Sequence, residues 1–524
     1  MFPPHWAFLS AFFVAAYSDK RQGFVYQLRT EHSNESCTSY NVPKWIDGYF
    51  MQQVCGAIAD VNNPPGQHIQ HLSDCMGMVV SFYIKDGEAT FTNKYYRTEN
   101  FDTWNSHNQD MAKSGVAWNT RFTEIDQQKY QPPRVAYLQP NQNLHRVADY
   151  LIALDEQNLA GLIMSPNLEK NQILSTQLVQ QLKLSPEEHI FDVSAHSPVY
   201  GNRIWGSFLS LKLRNDKLYT ASRTVYTIDQ RTGNATIYSR LQLADVNLHN
   251  CRVVEGQIDS WTYENPTSQA ELGYTHSLAV TANYLILLTT SYLFNPCLLL
   301  ASYPQPRFKW YRFNAAVPTQ LLIMDKRSSG FEKAVVTPSL FILHVANAYE
   351  EKDDIVVQAL TYKNANPYKI NMDLNTLRSS SSWPQEAQLE DIRLKFGETQ
   401  THRQLPSAYV SFSAEYPTIN PQYRGVKHSW LYMLDKPYSD DSKIIKVDVQ
   451  HKGAQLKSWV PGSGLYPSAP VFVPSPNSKD EADGVILTGV VDTNNLKGQV
   501  MILNAETLEE IGSITAPEFQ STNE

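Results

Sequence analysis

Short apolar runs bounded by turn residues recur along the chain, and this pattern predicts strands. Residues 79–84 (VVSFYI) and 89–96 (ATFTNKYY) flank an Asp86-Gly87 pair that favours a tight hairpin turn. Long amphipathic helical stretches are scarce. Repeated antiparallel units over this length favour a β-propeller over a sandwich, so the sequence predicts an all-β fold. The same rhythm of strand and turn returns in residues 148–169, 206–243 and 482–517.

One apolar stretch has the length of a transmembrane helix. No Asp, Glu, Lys or Arg lies between Glu271 and Arg307, but Asn283 and Pro296 interrupt the stretch. Its Tyr, Thr and Val residues favour a buried strand followed by an apolar loop. If exposed, such a loop marks a membrane or partner surface, whereas packing under a neighbouring sheet would hide it. The candidate membrane contacts are Leu293, Phe294, Leu298, Leu299 and Leu300.

The counts of charged residues and cysteines exclude some classes of protein. The 524 residues include 44 Lys and Arg against 52 Asp and Glu, with no basic block, so nucleic acid is not an expected partner. We find no interior linker, and residues 19–524 are therefore expected to form one domain. The five cysteines are an odd set without a CxxC pair, which predicts neither a zinc site nor a disulfide framework.

Residues 1–18 contain an apolar segment from Trp6 to Ser18. Ala16 and Ser18 suit the small-residue positions of a signal-peptide cleavage site, which would make the protein secreted or lumenal. No Lys or Arg precedes the segment, however. The alternatives are a buried strand or a membrane-touching tail, and both fit a cytoplasmic protein associated peripherally with membranes.

Three of the histidines lie in similar surroundings, each at a predicted strand boundary in a segment with little charge. They are His196 in FDVSAHSPVYGN, His276 in ELGYTHSLAVTANYLILL and His344 in SLFILHVANAYEE. In a propeller, such positions converge on the axis, where neutral imidazoles can bind ferrous iron and leave positions open for O2. Each taken alone also fits an ordinary hydrogen-bonded core histidine. His68 and His71 have no helical context, and we interpret them as structural or solvated.

The three segments resemble the ligand segments of the carotenoid cleavage oxygenases, a family that includes polyene-cleaving dioxygenases and the retinoid isomerase of the visual cycle. HVANAYE at residues 344–350 matches the family's His-x-x-Asn-Ala-x-Glu, THSLAVTANYLIL resembles its second histidine motif, and SAHSP its Ala-His-Pro. The resemblance implies a seven-bladed propeller, capped on one face by loops and helices, with an axial Fe2+ held by four histidines. It also implies that Glu156 and Glu415 lie behind ligand histidines and orient them.

The chain departs from the family pattern at several points. Where the family has Pro-Ser-Glu-Pro, this chain has Pro467-Ser468-Ala469-Pro470, so one carboxylate is replaced by a methyl group. The family's fourth histidine follows the final Glu-Ile-Gly strand, and no histidine follows residue 511 here. Tight turns of the family near residues 53–56 and 73–75 also have different sequences here. A weakened iron site is therefore expected.

The resemblance implies oxidative cleavage of a polyene double bond to two carbonyl products, with O2 and an apolar polyene or retinoid as the small-molecule partners. His196, His276 and His344 would bind the metal. Ala469 and the missing histidine favour a second hypothesis, a catalytically inactive propeller that binds carotenoid, retinoid or another apolar ligand. Retinoid isomerase chemistry on the same site is a third, because it would use the same ligands.

Overall fold

The structure is a computed structural model, and almost all of the ordered secondary structure in it is β-strand. Two short α-helices, α1 (Glu99–Ser106) and α2 (Asn366–Lys369), and two 3-10 helices, Leu248–Asn250 and Pro421–Tyr423, are present in the described part of the chain. The residues that the structure describes are 7–10, 30–57, 75–106, 143–154, 156, 159, 161–169, 171–173, 180–185, 187–215, 217–253, 261–263, 272–297, 311–336, 339–369, 387–395, 402–404, 413–437, 439–450, 457–495 and 497–517.

The described strands form seven sheets of four or more strands and two of two strands. Neighbouring strands are antiparallel except for the first pair. The first sheet, in the order β1-β4-β5-β6-β2, contains β1 (Ala7–Ser10), β2 (His32–Ser36), β4 (Gly48–Ala57), β5 (Met76–Lys85) and β6 (Glu88–Tyr95). The second sheet contains β7 (Asn143–Val147), β8 (Tyr150–Leu154), β9 (Gly161–Met164) and β10 (Asn171–Ile173).

The third and fourth sheets are each accompanied by one of the two-stranded sheets. The third contains β11 (Glu188–Phe191), β12 (Val199–Tyr200), β13 (Arg203–Asn215), β14 (Leu218–Asp229), β15 (Ala235–Gln242) and β16 (Val246–Asn247), and β17 (Cys251–Val253) pairs with β18 (Trp261–Tyr263) beside it in sequence. The fourth contains β19 (Leu278–Val280), β20 (Tyr284–Thr289), β23 (Thr319–Asp325) and β24 (Phe331–Val336), and β21 (Tyr292–Phe294) pairs with β22 (Tyr311–Phe313).

The remaining three sheets follow in chain order. The fifth contains β25 (Phe341–Glu351), β26 (Asp354–Tyr362), β27 (Gln388–Lys395) and β28 (His402–Gln404). The sixth contains β29 (Ala414–Thr418), β30 (Trp430–Asp435), β31 (Lys443–Asp448) and β32 (Lys457–Trp459). The seventh contains β3 (Thr38–Tyr40) with β33 (Leu465–Pro467), β34 (Val471–Pro474), β35 (Gly484–Asp492), β36 (Lys497–Asn504) and β37 (Glu510–Thr515).

The hairpin predicted at Asp86-Gly87 is confirmed. Lys85 pairs with Glu88, and both turn residues have positive φ, 54° at Asp86 and 88° at Gly87. Two consecutive positive φ values give the turn a twist that matches the twist of the flanking strands, and Asp and Gly tolerate them at low steric cost. Apolar and polar positions alternate in β6, so its buried face meets the core while the other face is partly exposed.

The described part of the apolar stretch, residues 272–297, contains three strands, as its composition predicts. All six residues of β20 are buried, because the sheet is covered on both faces. None of the helices in the described ranges has the length and apolar character needed to cross a membrane. The membrane contact predicted for Leu293 and Phe294 is wrong, because both pack inside the protein with 5% and 1% of their surface exposed. Leu298, Leu299 and Leu300 lie outside the described residues.

The absence of a disulfide framework is also a wrong prediction. Cys55 is bonded to Cys75 and Cys251 to Cys297, with 5.5 Å between the Cα atoms in each pair. The partners are 20 and 46 residues apart, so only the folded sheets bring them within bonding distance. Cys37 has no disulfide, and burial together with the nearby charge of Glu35 raises the pKa of its thiol to about 12.

The first and last sheets share a core. Thr38–Tyr40 pairs with the last strand, and side chains such as Val80 and Phe91 of the first sheet pack in one cluster with Val485 and Ile502 of the seventh. The beginning of the described chain therefore completes a sheet built by its end. In the N-terminal apolar segment, Ala7–Ser10 pairs in parallel with β4.

Candidate metal centre

Three imidazoles predicted from the sequence as ligands come together. One nitrogen from each of His196, His276 and His344 lies within 4.8 Å of the corresponding nitrogens of the other two. Backbone contacts fix this arrangement, because the amide of His196 donates to the carbonyl of His276 at 3.1 Å. The hydroxyl of Ser277, next in the chain, donates to the carbonyl of Leu343 at 2.5 Å, which ties the second histidine segment to the third.

His276 is oriented by a carboxylate and a phenol. Its Nδ1 lies 3.1 Å from Oε1 of Glu156 and 2.7 Å from the hydroxyl of Tyr274, which itself donates to Glu156. Glu156 is 3% exposed, so this contact is shielded from water. A carboxylate that accepts a hydrogen bond from Nδ1–H fixes the tautomer and leaves Nε2 with a lone pair for a metal.

His344 is likewise oriented by a carboxylate that is held by a phenol. Its Nδ1 lies 2.5 Å from Oε2 of Glu415, and the hydroxyl of Tyr362 donates to the other oxygen of that carboxylate. The backbone amide of Tyr416 donates to Oε2 at 3.3 Å. The side chain of Glu415 is therefore held by groups from two strands, and it holds the imidazole in turn.

His196 completes the cluster without a carboxylate hydrogen-bonded to it among the described residues. Its Nε2 lies 3.1 Å from Nε2 of His344. Burial, followed by the neighbouring imidazoles of His344 and His276, lowers the pKa of His196 far below its ordinary value. Burial also lowers the pKa of His276. Neutral imidazoles with converging nitrogen atoms are a good donor set for a divalent metal ion.

Glu350, the last residue of the HVANAYE motif, does not contact the three clustered histidines. Its Oε1 accepts from the hydroxyl of Thr281 at 2.5 Å and from the amide of Asn283 at 2.8 Å, while Oε2 accepts from the side-chain amide of Asn283. These bonds join the strand that carries His344 to the segment that carries His276. The motif glutamate thus aligns two histidine strands.

Asn347 of the same motif holds a turn instead. Its side-chain amide donates to the carbonyls of Tyr423 and Val426 at 3.1 and 2.9 Å, and its Oδ1 accepts from the amide of Gly425 at 3.0 Å. Gly425 has a φ of 83° and lies against the ring of Tyr200, so a side chain there would clash. The motif therefore also fixes the segment that follows Ile419.

A cavity of about 480 Å³ is lined by His196 and His344 of the cluster. Its walls combine apolar and polar side chains in similar proportion, and no Asp or Glu is present among the described residues that line it. The lining residues are 143–146, 196–199, 277–280, 344–348, 416–419, 471–474, Gln230, Pro421 and Arg424.

Comparison with known proteins assigns the chain to a family. Residues 26–521 match the family model of RPE65, the retinal pigment epithelial membrane protein. The chain belongs to the RPE65 family. The carotenoid isomerooxygenase of Galleria mellonella is 21% identical over 500 residues, which cover 92% of this chain and 90% of that protein. Human beta,beta-carotene 15,15'-dioxygenase is 23% identical over 516 residues, which cover 90% and 87%.

Two solved structures share the fold of the chain. Cobalt-substituted ACO, the apocarotenoid oxygenase of Synechocystis, is 18% identical to the chain, with a TM-score of 0.65 over 93% of each chain. A chimera of ACO and RPE65 is 17% identical, with a TM-score of 0.66 over 97% of each chain. The family resemblance inferred from the three histidine segments is confirmed.

The Pro467–Pro470 segment shows how this RPE65-family chain accommodates its departure from the family pattern. Ala469 is fully buried among apolar side chains, including those of Tyr432 and Phe472. The hydroxyl of Ser468 accepts from the side-chain amide of Gln52 at 2.7 Å. Packing and one neutral hydrogen bond therefore occupy the place where the family pattern has a carboxylate.

Sequence reasoning did not find three groups at this site. Tyr274 lies two residues before His276, which is a signal that could have been used. Tyr362 is 18 residues beyond His344 at the end of the adjacent strand, and no local pattern marks it. His145 in β7 lines the cavity without belonging to any recognised motif. His68 and His71 lie outside the described residues.

Proposed function

We propose that this RPE65-family protein is a non-haem iron oxygenase that cleaves a double bond of an apolar polyene with O2 to give two carbonyl products. The observation that carries the proposal is the convergence of His196, His276 and His344, two of them backed by buried glutamates. The names of the isomerooxygenase and dioxygenase relatives support this reaction class, as do the apolar side chains of the cavity wall, such as Leu278 and Val473.

The three histidines and the two glutamates would have different roles in this reaction. His196, His276 and His344 would hold Fe2+, which when bound supplies the site that activates O2. Glu156 and Glu415 keep a proton on Nδ1 of the two imidazoles that they contact, and so keep Nε2 available. The chain contributes geometry and exclusion of water, and the described cavity wall has no carboxylate to act as a general acid or base.

The fold that carries this site is proposed to be a single seven-bladed propeller over residues 19–524, and Ala7–Ser10 adds an edge strand to its first sheet. Seven described sheets with four or more strands support seven blades, with the last closed by β3. The three histidine segments come from consecutive parts of the chain, and the bridge between His196 and Ser277 supports their arrangement about a common axis.

The test begins with the metal. The full-length protein, reconstituted anaerobically with Fe2+ and desalted, should retain about one iron per chain, and His344→Ala should retain almost none. The loaded protein is then incubated with β-carotene and a panel of apocarotenoids in detergent under 18O2, and carbonyl products are analysed by mass spectrometry. Failure of the intact protein to retain iron would contradict the proposal.

A catalytically inactive propeller is the second candidate, favoured by Ala469 at the position of a family carboxylate. In that case a carotenoid would bind, quench tryptophan fluorescence and be recovered unchanged under O2. Retinoid isomerisation on the same iron site is distinguished by a change in product geometry without incorporation of 18O.

We also propose that the protein works in an oxidising compartment, secreted or lumenal. The two disulfides support this, because such bonds persist outside the reducing cytosol. Non-reducing peptide mapping of the protein from its native source should recover both linked peptides. Free thiols at Cys55 and Cys75 would argue for a cytoplasmic location.

A further inference from the structure

Arg424 has an unusual position on the wall of the cavity. It is exposed and lines the cavity, and its guanidinium makes no hydrogen bond or ion pair with any residue that the structure describes. A second guanidinium, that of Arg146, lines the same cavity, but its Nε already donates to the carbonyl of Ala148 at 3.1 Å. Positive charge without a facing carboxylate makes a cavity attractive to anions.

The backbone around Arg424 is fixed on both sides. Asn347 accepts from the amide of Gly425 and donates to the carbonyl of Tyr423, and the amide of Arg424 donates to Pro421 at 3.3 Å. A charged group on such a firmly held segment loses little backbone freedom when it binds a ligand. The HVANAYE motif thus sets the position of Arg424 as well as that of His344.

His145 supplies a second polar group on the same wall. It is 6% exposed, and its Nε2 is buried with no hydrogen-bond partner in the described structure. Burial, followed by the charge of Arg424, lowers the pKa of the imidazole to about 3. A neutral imidazole with an unused nitrogen can donate to an anion that enters beside it.

We propose that the cavity beyond the histidine cluster is a binding site for a carboxylate, which pairs with the guanidinium of Arg424 and accepts a hydrogen bond from His145. Guanidinium and carboxylate match in geometry and charge. The carboxylate is either a free small anion or the acidic end of an apolar molecule whose body contacts walls such as Leu278 and Val473. This site goes beyond the proposed oxygenase activity and does not require the metal.

The proposal is tested by titration calorimetry with three probes. All-trans-retinoic acid carries the carboxylate on an apolar tail, all-trans-retinol has a similar tail without the charge, and sodium acetate is the carboxylate alone. Each probe is titrated into the full chain with and without a metal chelator, because iron also binds carboxylates. Arg424→Gln should weaken binding of a carboxylate probe about 10-fold or more in both states.

Substitutions at Arg424, His145 and Arg146 show whether carboxylate binding depends on positive charge in general or on Arg424 in particular. Arg424→Lys should retain part of the affinity, and His145→Leu should weaken carboxylate binding by about threefold or more. Arg146→Gln removes the same charge from the same cavity and should change carboxylate binding by less than about twofold, because that side chain already has a backbone partner. Retinol affinity should be the same in all variants, and melting temperatures identify any that fail to fold.

The outcomes discriminate between sources and between proposals. Arg424-dependent binding of acetate supports a free small anion, and Arg424-dependent binding of retinoic acid without acetate binding supports an acid with an apolar tail. Unchanged carboxylate affinity in Arg424→Gln, or no binding of either carboxylate, overturns the proposal. Iron retention and turnover are measured separately, so an inactive protein that still binds carboxylate through Arg424 contradicts only the oxygenase proposal.

Discussion

The surroundings of His276 and His344 contrast with the buried segment around Ala469. Each of the two histidines is backed by a glutamate, which in turn accepts from a tyrosine hydroxyl. Around Ala469 the interior is filled by apolar side chains, with Ser468 and Gln52 joined by a neutral hydrogen bond. One part of the interior is thus organised to orient imidazoles and the other to pack, so a change that is harmless in one should be costly in the other.

The largest expected effect comes from restoring the family carboxylate in the packed region. Ala469→Glu would bury a carboxylate in the apolar cluster that contains Tyr432 and Phe472. We expect the free energy of unfolding to fall by about 3 kcal/mol or more. Denaturant unfolding at pH 7 measures this, with Ala469→Val as a control for added volume. A variant as stable as the wild type would show that the region can still accept a charged group.

Removal of the carboxylate of Glu415 should mainly reduce the affinity of the histidine cluster for iron. Glu415→Gln keeps the shape but weakens the acceptor for Nδ1 of His344, and we expect iron affinity to fall about 10- to 100-fold. Competition with a calibrated chelator measures this. Glu350→Gln is the matched control, because that glutamate belongs to the same histidine segments but contacts Thr281 and Asn283. Equal losses of iron affinity in both variants would contradict the assigned roles.

His428, a buried histidine outside the cluster, should make the stability of the fold depend on pH. His428 is 2% exposed and lies 3.0 Å from the side-chain amide of Asn347, and burial lowers its pKa to about 4. The unfolded chain takes up a proton below pH 6.5 whereas the folded one does not, so stability should fall with decreasing pH from about 6.5 to 4, by up to about 1.4 kcal/mol per pH unit. His428→Gln should flatten the dependence of unfolding free energy on pH over this interval.

The smallest effect is expected from the tyrosines behind the glutamates. Tyr362→Phe removes one donor to Glu415 and leaves the carboxylate and imidazole in place. The loss of one charge-assisted hydrogen bond should reduce iron affinity by at most about 30-fold. This loss should not exceed the loss caused by Glu415→Gln. The same chelator competition measures it, and Tyr432→Phe, a buried phenol that donates to the carbonyl of Ala505, is the control.

Local patterns predicted the strands and the histidines because both depend on neighbouring residues. The Asp86-Gly87 hairpin follows from turn chemistry, and the three histidine segments from short motifs. The disulfide between Cys251 and Cys297 and the hydrogen bond from Tyr362 to Glu415 depend on contacts between separate sheets, which no local period encodes. Glu350 was matched to its motif correctly, but only the structure shows that it aligns strands.

The pairing of β3 with β37 has a consequence for how the chain reaches its fold. Thr38 and Thr515 are neighbours in one sheet although nearly the whole chain separates them. The strand β3 is therefore synthesised long before its partner β37, and it has no partner strand until synthesis is almost complete. Folding should be slow, and the nascent chain should depend on chaperones until its last strand emerges.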